Sequence, residues 1–193
     1  MGDIELIINQ VVNYMVSLGP IGGFLLIVFE SFLPPLPLGV MVGLNMLSFG
    51  HVFGFILSYI ATITGCMLSF FVFRYLLKDR YVKWFSEKNQ IKIKKWMEKL
   101  SNIKLETLAV LFAIPLTPAF FVNIAGGLSD IPWKKYLVAL LIGKPAMLLF
   151  YGYIAVSVVD SLKDPVNIIR VVLLVTITYV VSRVIENIVK VEK

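Results

Sequence analysis

Phe29-Glu30-Ser31-Phe32-Leu33-Pro34-Pro35-Leu36-Pro37-Leu38-Gly39 sets one carboxylate and three prolines inside the run Ile21 to Phe49, which is otherwise apolar except at Asn45. A straight helix through the triplet would lose backbone donors and clash with preceding carbonyls, at about 3 kcal/mol or more per interior proline. Two half-helices meeting at a turn avoid that cost. At membrane depth such a turn survives only where protein or water satisfies the freed polar groups, and an acid there marks a functional site by default. The stretch is read as the tip of a re-entrant hairpin, residues 20–50, that enters and leaves by one face of a membrane. The competing reading is a single spanning helix kinked by its prolines.

Composition agrees with a membrane setting. The 193 residues are 59% hydrophobic, above the roughly half-apolar make-up of soluble domains. Lys and Arg number 18 against 12 Asp and Glu, but the excess is gathered in one segment between apolar runs, so membrane topology and anionic lipid account for it and no nucleic acid is expected. A single cysteine, Cys66, excludes an intrachain disulfide and a multi-cysteine metal site.

Outward from the hairpin, residues 1–19 read as an amphipathic helix, with Ile4, Ile7, Ile8, Val11, Val12, Met15 and Leu18 at helical spacing. It lies on the membrane surface or on the protein itself, and Gly19-Pro20 ends it. Residues 51–77 are long enough to cross a bilayer. The segment 78–104, preceded by Arg74, holds Lys78, Arg80, Lys83, Lys88, Lys92, Lys94, Lys95, Lys99 and Lys104, which places it in the cytoplasm. Within it Trp96, Met97, Leu100 and Ile103 form an apolar stripe suited to anionic headgroups, or belong to a solvated loop.

At residues 105–128 the first pattern returns, an apolar run broken at Pro115 and Pro118 and closing on Asn123-Ile124-Ala125-Gly126-Gly127. Two proline-broken segments in corresponding halves point to an inverted-repeat transporter. Residues 136–159 form a second crossing, with Lys144 in its middle between Gly143 and Pro145, and 166–189 a third. With 78–104 inside and 105–128 re-entrant, Lys134, Lys135, Lys190 and Lys193 all fall on the cytoplasmic side. The expected fold is an all-α integral membrane protein, with two oppositely oriented re-entrant hairpins and about three transmembrane helices. The two repeats span 20–77 and 105–159.

Glu30-Ser31 before Pro35-Leu36-Pro37, the helix from Gly65 to Arg74, Pro115-Leu116-Thr117-Pro118, and Asn123 through Ala125-Gly126-Gly127 together resemble the DedA superfamily, which shares the SNARE-associated or VTT domain. The resemblance covers roughly residues 20 to 160. It implies two opposed re-entrant hairpins and movement of lipids across bilayers, namely polyprenyl phosphate or phospholipids, driven by a proton or sodium gradient in bacterial members. The matching positions depart from the family where it would carry charge. Gly39 stands for a second hairpin acid, Cys66 for an acid after the helix glycine, and Phe112 for an arginine before the second hairpin, whereas Arg74 matches.

The intramembrane polar set is therefore Glu30, Asn45, Asn123 and Lys144, joined by Arg74, with Pro34, Pro35, Pro37, Pro115 and Pro118 at the hairpin tips. Lys144 is expected to stand in for the absent arginine, Glu30 to be its counter-ion or a protonatable coupling group, and Asn123 to donate to phosphate oxygens. A structural Glu30–Lys144 pair is the plainer alternative. The expected partners are membrane lipids with anionic headgroups, with a homo-oligomer left open. The expected location is a bacterial plasma membrane, with 78–104 and the C-terminus cytoplasmic. A small-solute or ion transporter, or a non-transporting scaffold, fits the same architecture. No enzyme is expected, because there is no paired-His metal motif, no Ser-His-Asp set with His51 alone, and no phosphate-cradling loop. No metal or cofactor is expected either.

Overall fold

The structure is a computed structural model that describes residues 2–32, 38–78, 97–98, 100–115, 119–161 and 176. Among these the regular elements are all helical: α1 (Gly2–Glu30), α2 (Leu38–Phe49), α3 (His51–Phe71) continued by a π-helical stretch (Val72–Leu77), α4 (Leu105–Ala113), α5 (Ala119–Leu128) and α6 (Trp133–Ser161). The tip prolines Pro34, Pro35, Pro37 and Pro118, the basic residues from Arg80 to Lys95, and the expected crossing 166–189 apart from residue 176 lie outside the described residues.

By length and composition three helical stretches can cross a membrane, Leu6–Glu30, His51–Leu76 and Trp133–Ser157. The second and third coincide with expected crossings. The first contains the boundary expected at Gly19-Pro20, where two helical stretches meet at a residue with non-helical backbone. Gly19 takes φ 67°, ψ 178°, a conformation open to a residue without Cβ. Pro20, which lacks an N–H and has φ already fixed, suits the first turn of the restarted helix.

Beyond the kink, α1 and α2 pack side by side. Asn45 of α2 donates through Nδ2 to Gly23 O of α1 at 3.4 Å and to Ser58 Oγ of α3 at 3.1 Å, so one buried amide fastens three helices. The passage from α2 to α3 takes one residue, Gly50, at φ 87°.

The two larger of three apolar clusters among the described residues lie along α3 and α6. Ile27, Leu38, Val42, Ala61, Met147 and Leu148 gather around the first hairpin. Cys66, Phe70, Leu108, Ala109, Phe112, Ile131, Tyr136, Ala139 and Leu140 gather around α4. Both draw on α3 and α6, which run past the two hairpins in turn. Lys144 falls between Leu140 of one cluster and Met147 of the other, at their seam.

The far end is tied by polar contacts. Arg74, in the widened π turn, donates through Nη2 to Ser129 O at 2.5 Å and Ile131 O at 2.7 Å, and its guanidinium lies 4.4 Å from the centroid of the Phe70 ring. It thereby caps the chain leaving α5 with charge-assisted bonds. Arg74→Met is expected to cost about 2 to 4 kcal/mol, read as a lowered thermal midpoint in detergent. Nearby, the 2.6 Å hydrogen bond from Lys78 Nζ holds the exposed Asp130 carboxyl below its ordinary value. That tie is in place at neutral pH and is lost as pH falls through the lowered value; between exposed groups it contributes little.

The apolar stripe of the basic segment is used within the protein. Met97 packs on Phe73, Ile124 and Leu128, and Leu100 and Ile103 pack on the α4 cluster. These side chains fill against helices whose apolar faces need cover, and all three remain partly exposed. Trp96 lies outside the described residues.

Candidate functional site

Glu30 is the last residue of α1 and is 8% exposed. Lys144 is 1% exposed at mid-length of α6. Each is in the other's electrostatic field, but the two do not form an ion pair. Among the described residues the only pair within 4.0 Å is Lys78–Asp130. The ammonium of Lys144 instead lies 3.4 Å from Met147 Sδ and 5.7 Å from the Phe112 ring centroid. A sulfur and a ring face are weak partners for three N–H donors. Burying a charge without an anion is expensive.

Two glycines bring this position to the seam. Around Gly65 of α3 there is no room for a Cβ, because Ser31 Cβ and Val28 Cα would each be 3.0 Å away. At Gly143 of α6 a Cβ would be 2.8 Å from Phe112 Cβ. α3 thus accepts α1, and α6 accepts α4, at a glycine, and the next residue, Cys66 or Lys144, is buried. Cys66 lies in the field of Lys144 and Glu30 and against the side chains of Asn123 and Ser31. Glu30, Asn123 and Lys144 of the sequence-derived set thus lie around it.

Asn123 sits on α5 at 0% exposure. Its Oδ1 accepts from Tyr136 OH at 2.8 Å, and its Nδ2 has no partner among the described residues. The hydroxyl fixes the amide so that its donor end is left for another group. Tyr136 in turn packs edge-on to Phe112, centroids 5.2 Å apart, so the residue standing at the expected arginine position separates Asn123's support from Lys144.

Glu30, Asn123 and Lys144 are therefore gathered, while Asn45 and Arg74 are engaged elsewhere, in fastening helices. Pro115, the described tip proline, contributes its carbonyl, which accepts a hydrogen bond from Tyr151 OH. A Cβ on Gly39 would lie 2.9 Å from the Tyr151 ring. One α6 tyrosine therefore touches residues beside both hairpin tips, and nothing in its apolar sequence context distinguished it from an interfacial anchor. Tyr136 was equally hidden, since a tyrosine near a helix start is common at membrane surfaces.

Residues 33–157 match the VTT domain. The chain is 29% identical over 172 residues to YhjE of Bacillus subtilis (strain 168), described as an uncharacterized membrane protein, covering 89% of this chain and 82% of that one. It is 32% identical over 122 residues to YqeD of the same organism, described as an uncharacterized protein, covering 62% of this chain and 57% of YqeD. No solved structure matches significantly. With the matched domain running from the first hairpin tip nearly to the end of α6, the chain belongs to the VTT-domain family and is a membrane protein of the DedA type.

Proposed function

We propose that this protein moves a lipid with an anionic headgroup across the bilayer, the headgroup passing through the seam between the two hairpins. The observation that carries the reading is Lys144, an ammonium 1% exposed with no carboxylate within ion-pair distance among the described residues. A passing phosphate supplies the missing anion, and the unpartnered Asn123 amide adds a neutral donor. Glu30 acts as a protonatable group that biases occupancy of the lysine. A polyprenyl phosphate or a phospholipid meets this requirement.

Helix lengths support re-entrant hairpins. Beyond the break at Gly19 the first arm is residues 20–30, and the arms α2, α4 and α5 have 12, 9 and 10 residues, so each is about 14 to 18 Å at 1.5 Å per residue, against about 30 Å of hydrocarbon. Sequence offsets support an inverted repeat. The pairs Asn45 and Asn123, Ser58 and Tyr136, Gly65 and Gly143, and Cys66 and Lys144 are each 78 positions apart. Members of these pairs do matching work, Asn45 bonding to Ser58 and Asn123 to Tyr136.

The test is headgroup translocation in proteoliposomes. Glu30→Gln is expected to slow transfer of a phosphate-bearing lipid by about tenfold, a barrier change of about 1.4 kcal/mol. Transport of a zwitterionic or uncharged lipid that proceeds equally well, or gradient-driven uptake of a small solute with no lipid movement, overturns it.

A further inference from the structure

A second polar feature runs along the buried side of α3. Ser58, Thr62, Cys66 and Ser69 recur at intervals of four, four and three, which puts them on one side of the helix. All are buried, at 0%, 1%, 1% and 0% exposure. Ser58 Oγ accepts from Asn45 at one end of the row, and Asn123 lies against Cys66 further along. The buried side-chain atoms lacking a hydrogen-bond partner among the described residues are Asn45 Oδ1, Thr62 Oγ1, Ser69 Oγ and Asn123 Nδ2. All four belong to this row or its neighbours.

The outer side of α3 behaves differently. Thr64 donates back to Ile60 O at 2.8 Å, which is how a hydroxyl on an apolar helix face satisfies itself. Thr62 and Ser69 leave that option unused. In a bilayer each unsatisfied polar group costs several kcal/mol. The orphaned atoms are an acceptor, a donor and two hydroxyls that can act as either, so the partner must both give and accept hydrogen bonds and fit between packed helices. Water meets those conditions.

We propose that the Ser58–Thr62–Cys66–Ser69 row carries a file of water molecules to Glu30 and is the path by which protons reach and leave that carboxylate. The row is about 16 Å long at 1.5 Å per residue, roughly half the hydrocarbon thickness. Gly65 lets Ser31, adjacent to Glu30, sit against its middle. Lys144, Cys66 and Tyr151 are the other ionisable groups in the field of Glu30. The proposal rests on the membrane embedding of α3 and not on the identity of the cargo, so it can fail while lipid transport stands.

Two measurements on the reconstituted full chain test it. In a Cys66→Ala background, Thr62→Cys and Ser69→Cys are expected to react with a small water-soluble methanethiosulfonate about tenfold faster than Leu68→Cys, because only a hydrated thiol ionises to the reactive thiolate. Leu68 is 46% exposed on the apolar side of α3. In the otherwise native chain, Thr62→Val combined with Ser69→Ala is expected to slow the decay of an imposed pH gradient by about tenfold while Thr62→Ser does not, with the thermal midpoint of the double variant unchanged or raised, since deleting a hydroxyl bonded only to water removes no bond within the protein. Stripe cysteines as slow as Leu68→Cys, unaltered gradient decay, or a lowered midpoint that reveals a protein-bonded hydroxyl would each overturn it.

Discussion

Lys144→Met is expected to lower translocation of an anionic lipid about a hundredfold, as removal of one preorganised donor does in a dry site, while raising the thermal midpoint. The two effects have one cause. In the resting protein the ammonium is buried with a thioether and a ring face for company, and its desolvation is not repaid by a contacting carboxylate. Met matches the length of the lysine stem, packs beside Met147 and Phe112, and removes the charge. Replacing buried ionic groups with well-packed apolar ones is often stabilising by about 1 to 4 kcal/mol. A structural lysine would behave in the opposite way, the variant losing stability and activity together. The measurement is a thermal melt in detergent alongside proteoliposome transport at matched reconstitution. A melt lowered by several degrees would show that Lys144 is held by a bond within the protein and would sink its assignment as the anion-binding group.

Much of the architecture was open to inference because it rests on elements that leave large marks on a sequence. Prolines at 115 and 118 forecast the break between α4 and α5, and apolar length forecast α3 and α6. Lys144 was conspicuous as a charge in an apolar run. What stayed hidden depended on direction rather than on residue type. Thr62 and Thr64 are the same residue two positions apart, yet one hydroxyl is turned inward and the other bonds its own helix. Asn45 and Asn123 looked alike as candidate headgroup ligands, but Asn45 spends its donor on Gly23 and Ser58 whereas Asn123 has its acceptor taken by Tyr136. The stripe at Met97, Leu100 and Ile103 had the right chemistry for a membrane surface and was used for packing. Gly19-Pro20 was legible as a boundary because a residue free to take positive φ, followed by a proline suited to a first turn, ends one helical stretch and starts the next.

Moving the ammonium to the other repeat provides the most demanding test of the seam. Cys66 and Lys144 each follow a glycine at which α3 accepts α1 or α6 accepts α4, and they are 78 positions apart like the asparagines and their partners. If the two halves are related by inversion, both side chains project into one shared space and an anion there meets the same charge from either side. The single variant Lys144→Cys is expected to lose about a hundredfold in transport. Adding Cys66→Lys returns the ammonium while leaving the total side-chain volume at the seam unchanged, the kind of exchange that packed interiors tolerate best. Transport is then expected to recover to within about tenfold of the native rate, a residual loss of about 1.4 kcal/mol. A double variant that folds and melts like the native protein but remains as inactive as Lys144→Cys would show that position 144 acts through contacts found on α6 alone, Met147 and Phe112 among them. Recovery would mean that the seam recognises its anion by charge at the centre of the repeat, whichever helix supplies it.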